Sequence, residues 1–315
     1  MMVSCVDESA LEDLSRDLRR RFGEDKVTEH RGQVLDFLAM TFDFTVPGEA
    51  RVTMRRLVDD ILEGCGVERS YATPAIDQLF DVRDALKLSV TEGDYFRTYV
   101  AKLLFVAKRV KPEMLAAVAF LTTRTVAPDE DDLGKLRRAL GYLLGDRERG
   151  IVLRIGDQPC VRAYVDAAYG VHTSSGRSHS GCATVVGAAG PSHVKSSKQK
   201  IVTKSSTEAE LVASSDYASH ALWVRNFLRG QGYETGPVVL YQDNMSAMAL
   251  MNCGGPASER SWHIDIRHFW VKERVDAGEM VVRHLPTALM FANIMTKPLQ
   301  GQQFVAERTM LTNWP

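Results

Sequence analysis

Apolar and polar positions follow two regimes along this chain. Spacing of three and four dominates before about residue 146, and strand-like alternation dominates after it. In residues 8–22, Leu11, Leu14, Leu18 and Phe22 fall on one stripe, which predicts an amphipathic helix with a core-facing side. Val34 to Phe44 reads as a strand running through Leu38-Ala39-Met40. Val46-Pro47-Gly48-Glu49-Ala50 then turns the chain toward Val52-Thr53-Met54, a hairpin signal. Helical stripes follow from about 94 to 146: Tyr99, Leu103, Val106 and Val110, then Leu115, Val118, Ala119 and Thr122, then Leu133, Leu136, Leu140 and Leu143. Pro112 and Pro128 stand at helix starts, and Asp129-Glu130-Asp131-Asp132 suits the positive end of the following helix dipole. Gly141 to Gly150 is the expected boundary.

Beyond it the pattern predicts strands at about 151–155, 160–168, 181–188 and 192–203 and a long helix at 206–229. A strand at 237–242, helices at 244–252 and 259–276, a strand at 279–285 and a short helix at 290–297 complete the reading. Consecutive strands followed by helix, strand, helix and strand indicate an α/β fold, a mixed sheet with helices packed on it.

Composition narrows the class. The chain has 315 residues, 45% hydrophobic and 25% charged, which is ordinary globular content with room for about two domains. No run approaches the roughly 20 apolar residues of a membrane span, and no basic-then-apolar signal opens the chain. A soluble, intracellular protein is expected. Five scattered cysteines with no C-x-x-C pair argue against zinc and disulfide scaffolds. A net charge of −1 gives no global attraction to nucleic acid, so any such contact must be local. Lys195, Lys198, Lys200 and Lys204 form one basic run with Ser and Thr between them. Alone it would be a solvated edge hairpin.

Three acids stand out. Asp166 follows Val161-Arg162-Ala163-Tyr164-Val165, projecting from the face opposite Val161, Ala163, Val165 and Ala167; an Asp closing a strand is otherwise a turn former. Asp243 closes Val238-Val239-Leu240-Tyr241-Gln242, where a helix cap is the plainer reading. Glu208 and Glu210 open a helix ~200° apart, so both cannot face one site, and periodicity does not choose between them. An acid buried in an apolar strand is costly unless neutralised, and carboxylates gathered from three elements suit oxygen-seeking Mg²⁺. By contrast, Asp59-Asp60 lies within the helical spacing of Leu57, Val58, Ile61 and Leu62 and reads as a solvated helix face.

The segments Tyr164-Val165-Asp166-Ala167, Lys195-Ser196-Ser197-Lys198-Gln199, Ser205-Ser206-Thr207-Glu208-Ala209-Glu210-Leu211, Asp243-Asn244-Met245-Ser246-Ala247, His263-Ile264-Asp265-Ile266-Arg267 and Ile294-Met295-Thr296-Lys297-Pro298-Leu299 occur in this order. Together they resemble the ribonuclease H region of copia-type retrotransposon Pol polyproteins, a far more specific match than one motif gives. The resemblance implies a ribonuclease H-like mixed five-stranded sheet with flanking helices over 149–315. It implies a remnant of reverse-transcriptase palm over 1–54 and a helical thumb and connection over 55–148. The polymerase carboxylates would lie upstream of Met1, so DNA synthesis is not expected.

The family's activity is hydrolysis of the RNA strand of RNA–DNA hybrids, with Mg²⁺ as cofactor and Mn²⁺ as a substitute. The resemblance assigns catalysis and metal binding to Asp166, Glu210, Asp243 and Asn293. It selects Glu210 because Leu211-Val212-Ala213 follows it, leaving Glu208 as a first-turn acid with Ser206 or Thr207 as cap. The family carries an acid where this chain has Asn293, which places second-metal affinity in question. Beside these carboxylates, Lys195, Lys198, Lys200, Lys204, Ser205 and Ser206 become candidates for nucleic-acid contact. His284 is a candidate for proton transfer, while His263, Asp265 and His268 read as a structural helix face. The partners expected are an RNA–DNA hybrid and the rest of a Pol polyprotein, with no membrane. Two alternatives stand beside this reading: a degenerate remnant that binds nucleic acid without turnover, and a different phosphoryl-transfer task on the same fold.

Overall fold

A computed structural model describes residues 2–315 apart from Ser4, Val6, Asp157 and 254–264; side chains over 253–269 are likewise not described. Two sheets organise it. The first has the order β1 (Val34–Phe37), β2 (Met40–Asp43), β3 (Glu49–Thr53) and β4 (Ile151–Arg154), all antiparallel. The run at 34–44 is therefore a tight hairpin rather than one strand. Leu38 and Ala39 occupy its two-residue turn, both at positive φ (51° and 63°), the conformation a two-residue hairpin turn demands whatever residue supplies it. β4 joins β3 across about a hundred residues of chain, whereas the alternation alone had put it beside the strands that follow.

The helical region comprises α2 (Arg55–Cys65), α3 (Val90–Ala107), α4 (Leu115–Thr122) and α5 (Glu130–Gly145). Its expected stripes are core: Tyr99, Leu103, Val106, Val110, Leu136 and Leu140 are all buried. Local signals fix the helix starts. Ser89 and Glu92 cap α3 reciprocally, and Asp129 and Asp132 do the same for α5. The stripe of α1 (Glu8–Phe22), expected to face a core, buries none of its residues, and Phe22 is exposed.

The second sheet has the order β7 (Pro191–Lys198), β6 (Arg177–Val186), β5 (Val161–His172), β8 (Val238–Gln242) and β9 (Met280–His284). The first three are antiparallel, and β8 and β9 are added in parallel. This is the mixed five-stranded sheet the resemblance implies. α6 (Ser206–Gly230), α7 (Met245–Cys253) and α8 (Asp265–Asp276) accompany it. Ala163 and Ala167 of β5 meet Ala209, Ala213, Ala218 and Ala221 of α6 in one core, and such small residues let helix and sheet approach closely. The opposite face, with Tyr164, Ala183, Val185 and Val194, belongs to the core of the helical region. β5 is thus covered on both sides. The chain closes with a 3-10 turn, Phe291–Met295, and α9 (Gly301–Thr312). No helix among the described residues is long and apolar enough to cross a membrane.

Candidate metal centre

β5 runs on to His172, so Asp166 lies within the strand rather than closing it. Its neighbour across the ladder is Gly181 of β6. A Cβ at Gly181 would come within 2.7 Å of Thr296 Cγ2 and 2.9 Å of Met295 Cβ. The bare glycine lets the turn at 291–296 settle on the sheet beside Asp166. From it, the Thr296 hydroxyl donates to Asp166 Oδ2 and Lys297 Nζ lies 3.1 Å from Asp166 Oδ1.

Parallel pairing of Tyr164 with Tyr241 carries the end of β8 alongside this stretch of β5. Beyond Gln242 the chain leaves the sheet, and there Asn244 Oδ1, not Asp243, accepts the helix-capping hydrogen bond, from Ala247 N at 3.0 Å. The Asp243 carboxylate is thereby released from capping and accepts from Thr287 Oγ1 at 2.8 Å. Glu210 enters from the first turns of α6. Its Oε1 accepts from Ala167 N at 3.1 Å and its Oε2 from Gln242 Nε2 at 3.1 Å. Glu208 points elsewhere, accepting from Lys204 N at 2.6 Å, and Ser205 is the cap of α6, in place of Ser206 or Thr207.

One oxygen from each of Asp166, Glu210 and Asp243 lies within 4.8 Å of the others. Asp166 and Glu210 are buried and Asp243 is half-buried. Burial, more than any neighbour, pushes both buried carboxyls above their ordinary range. For Asp166 the Lys297 ammonium opposes that rise, whereas for Glu210 the Asp166 carboxylate adds to it. The donor set is all hard oxygen and sets three acidic groups against the one Lys297 ammonium among the described residues, which fits a divalent cation of the Mg²⁺ type. Asn293 is buried and one step removed: its Nδ2 donates to Met290 O and Thr287 O, and its Oδ1 accepts from Lys297 Nζ at 2.5 Å.

The other candidates are distributed. Lys195 and Lys198 are three residues apart on one strand and so leave it on opposite faces. Lys195 is exposed over the Tyr217 ring of α6, and Lys198 is half-buried near Arg124 and Arg177. Lys200, Lys204, Ser205 and Ser206 are exposed in the approach to α6. His284 ends β9 opposite Gln242 and is exposed. His263 lies outside the described residues, as do the side chains of Asp265 and His268. Asp59 pairs with Arg55 and Arg147 on the outside of α2, and Asp60 is exposed. Sequence pattern assigns no site role to Gly181, or to Lys297 beyond its place in a family motif. A small residue opposite a strand acid was the available signal for Gly181.

No family model matches the chain. Among curated proteins it is 31% identical over 264 residues to the retrovirus-related Pol polyprotein from transposon RE1 of Arabidopsis thaliana, and 30% identical over 264 residues to that from transposon RE2. These matches cover 82% of this chain and 18% of each relative. The Pol polyprotein from transposon TNT 1-94 of Nicotiana tabacum is 25% identical over 209 residues, covering 66% of this chain and 16% of the relative. Among solved structures, ribonuclease H1 of Halobacterium salinarum is 17% identical and aligns over 44% of this chain and 91% of its own, with a TM-score of 0.30. LC11-RNase H1 in complex with an RNA/DNA hybrid is 17% identical over 41% of this chain and 88% of its own, at a TM-score of 0.31. The chain spans under a fifth of the length of the curated relatives it matches. It belongs to the retrovirus-related Pol polyproteins of copia-type transposons and corresponds to one segment of them.

Proposed function

We propose that this chain hydrolyses the RNA strand of RNA–DNA hybrids, with the site over 149–315 doing the chemistry and the helical region over 55–148 and the palm-like unit over 1–54 supporting it. The observation that carries the reading is the meeting of Asp166, Glu210 and Asp243, two of them buried, around a space where Lys297 is the one cation paired with them among the described residues.

Asp166, Glu210 and Asp243 would hold the metal. When bound, Mg²⁺ would polarise a phosphate and lower the pKa of an attacking water. The surrounding residues preserve the ligand geometry: Thr296 and Lys297 fix Asp166, Gln242 and the Ala167 amide fix Glu210, and Thr287 fixes Asp243. Such outer hydrogen bonds orient ligands and tune their basicity. Asp243 stands at the half-open side, where a phosphate would enter. His284, exposed on the neighbouring strand end, would move a proton in or out. Exposed Lys200 and Lys204, with Ser205 and Ser206 at the start of α6, would supply phosphate contacts. Selection of RNA over DNA would rest on the 2′-hydroxyl.

One observation favours a second reading, a remnant that binds hybrid without turnover: the side chain at 293 is a neutral amide already engaged by Lys297. A labelled RNA–DNA hybrid incubated with Mg²⁺, Mn²⁺ or chelator separates the two. Cleavage of the RNA strand in either metal and none in chelator is expected. Hybrid binding without cleavage in either metal would establish the remnant, and cleavage of duplex DNA would point to another phosphoryl-transfer task.

A further inference from the structure

The outward side of α6 carries a row of rings that the carboxylate site does not use. Trp223 is 60% exposed and Phe227 53%, on a helix whose opposite side is core. Contiguous apolar exposure of this kind marks a binding surface more often than chance. The row begins on β7, where His193 meets His220 with ring centroids 3.8 Å apart. His220 and Trp223 follow at 5.7 Å with planes 21° apart, and Trp223 and Phe227 at 5.7 Å with planes 19° apart. Steps of three and four residues keep His220, Trp223 and Phe227 on one helix face. Burial, then His220 and the neighbouring lysines, hold the His193 ring down to about 4, and burial and Lys195 lower His220.

Cations stand at one end of the row. Lys195 is exposed, with its ammonium 5.4 Å from the ring centroid of Tyr217, about one turn before His220. Lys195 acts electrostatically on both His193 and His220, and the exposed Lys108 acts on His193. We propose that this row is a stacking platform for an unpaired nucleic-acid strand, with bases laid on Trp223 and Phe227 and backbone phosphates held by Lys195 and Lys108. Flat rings beside a cationic rim are what sequence-tolerant single-strand binding requires, since every base has a face to stack. Trp223 lies thirteen residues along α6 from Glu210, about 20 Å at helical rise, so the platform is separate from the carboxylates. It does not depend on the nuclease reading.

The test uses oligothymidylate of about twelve nucleotides and its ribose counterpart, in chelator, followed by tryptophan fluorescence and anisotropy. Binding should quench the fluorescence. Trp223→Ala and Phe227→Ala should each weaken it roughly tenfold, Trp223→Phe should retain most of it, and Lys195→Ala should flatten its salt dependence. Circular dichroism of each variant checks folding. Equal oligonucleotide affinity for the native chain and for Trp223→Ala would overturn the proposal. So would self-association of the native chain that Trp223→Ala abolishes while oligonucleotide binding is unchanged, since the row would then be a protein-docking face. Metal and hybrid are absent, so the result leaves the nuclease reading untouched either way.

Discussion

Two groups of buried acids in this molecule are treated differently. In the helical region Asp129 and Asp132 are buried, and Arg124 reaches both at 3.1 and 2.9 Å while Lys87 lies 3.3 Å from Asp129. At the other end of α5, half-buried Asp146 pairs with Lys111, Arg149 and Arg308, and Lys111 also acts on buried Glu113. Asp129, Asp132 and Asp146 each pair with a cation of the same chain. At the end of β8 three carboxylates gather around Lys297 alone among the described residues. Removing a charge from water costs several kcal/mol unless a partner returns it. A fold that balances its acids in one region and leaves a surplus in another marks the second as the place for a cation from outside.

Substituting the acids should break this comparison most sharply. Asp166→Asn, Glu210→Gln and Asp243→Asn are each expected to lower hybrid cleavage by roughly a hundredfold or more, the scale of losing a preorganised electrostatic contact. Glu210→Gln should leave the metal-free thermal midpoint unchanged or higher, because the neutral form already suits its burial beside Asp166. Arg124→Ala should do the reverse, costing about 3 kcal/mol of stability by stranding buried Asp132 while Asp129 keeps Lys87. Thermal melts and single-turnover cleavage on the same preparations decide this. A large loss of stability in Glu210→Gln would mean that its charge is structural.

Gly181→Ala is next in size. The added Cβ cannot coexist with Thr296 and Met295 as placed, so the turn that brings Thr296 and Lys297 to Asp166 must lift. A displacement near 1 Å at such a site can cost about a hundredfold, and a tenfold or greater fall in turnover is expected with the sheet intact. Unchanged turnover would show that the turn is a bystander.

Much of the five-stranded sheet was legible because β5 and β8 begin as apolar runs that lead into an acid and six motifs occur in order. What the sequence hid depended on distant partners. Periodicity could not choose between Glu208 and Glu210, since the choice rests on an amide of β5 and on Gln242 of β8. Asp243 read as a cap until Asn244 proved to fill that role. The pairing of β4 with β3 spans about a hundred residues, beyond any local signal. α9 went unread, and the stripe of α1 promised a core that the described residues do not supply. The division of the basic run was readable in principle, because an odd separation along a strand puts Lys195 and Lys198 on opposite faces.

A smaller effect sharpens the role of Asn293. Its amide oxygen accepts from Lys297, so Asn293→Asp would place a charge against that ammonium as well as near Asp166. The expected gain is therefore a few-fold in activity, largest at low metal concentration and in Mg²⁺ rather than Mn²⁺. Asn293→Ala should fall below the native chain. Coincident metal-titration curves for all three would reduce this position to a support for the turn.

The smallest effect concerns pH. His172 and His179 are buried between the sheet and Phe80 and Phe120, bonded ring to ring at 3.0 Å, and burial lowers them to about 4 and about 3. Folded values below the unfolded one mean that their contribution is complete above about pH 6.5 and is lost as pH falls toward 3–4. The thermal midpoint should decline across that window, and less steeply in His179→Phe. Parallel curves for the two proteins would remove the histidines from the account.

Metal binding itself tests the surplus of charge most directly. Calorimetric titration of the native chain with Mn²⁺ and Mg²⁺, in buffers of different ionisation enthalpy, should show saturable binding with release of protons, because buried carboxyls must ionise to coordinate. Binding should disappear in the combined Asp166→Asn, Glu210→Gln, Asp243→Asn variant. Absence of binding in the native chain, or equal binding in the combined variant, would contradict the claim that these three carboxylates form a metal site.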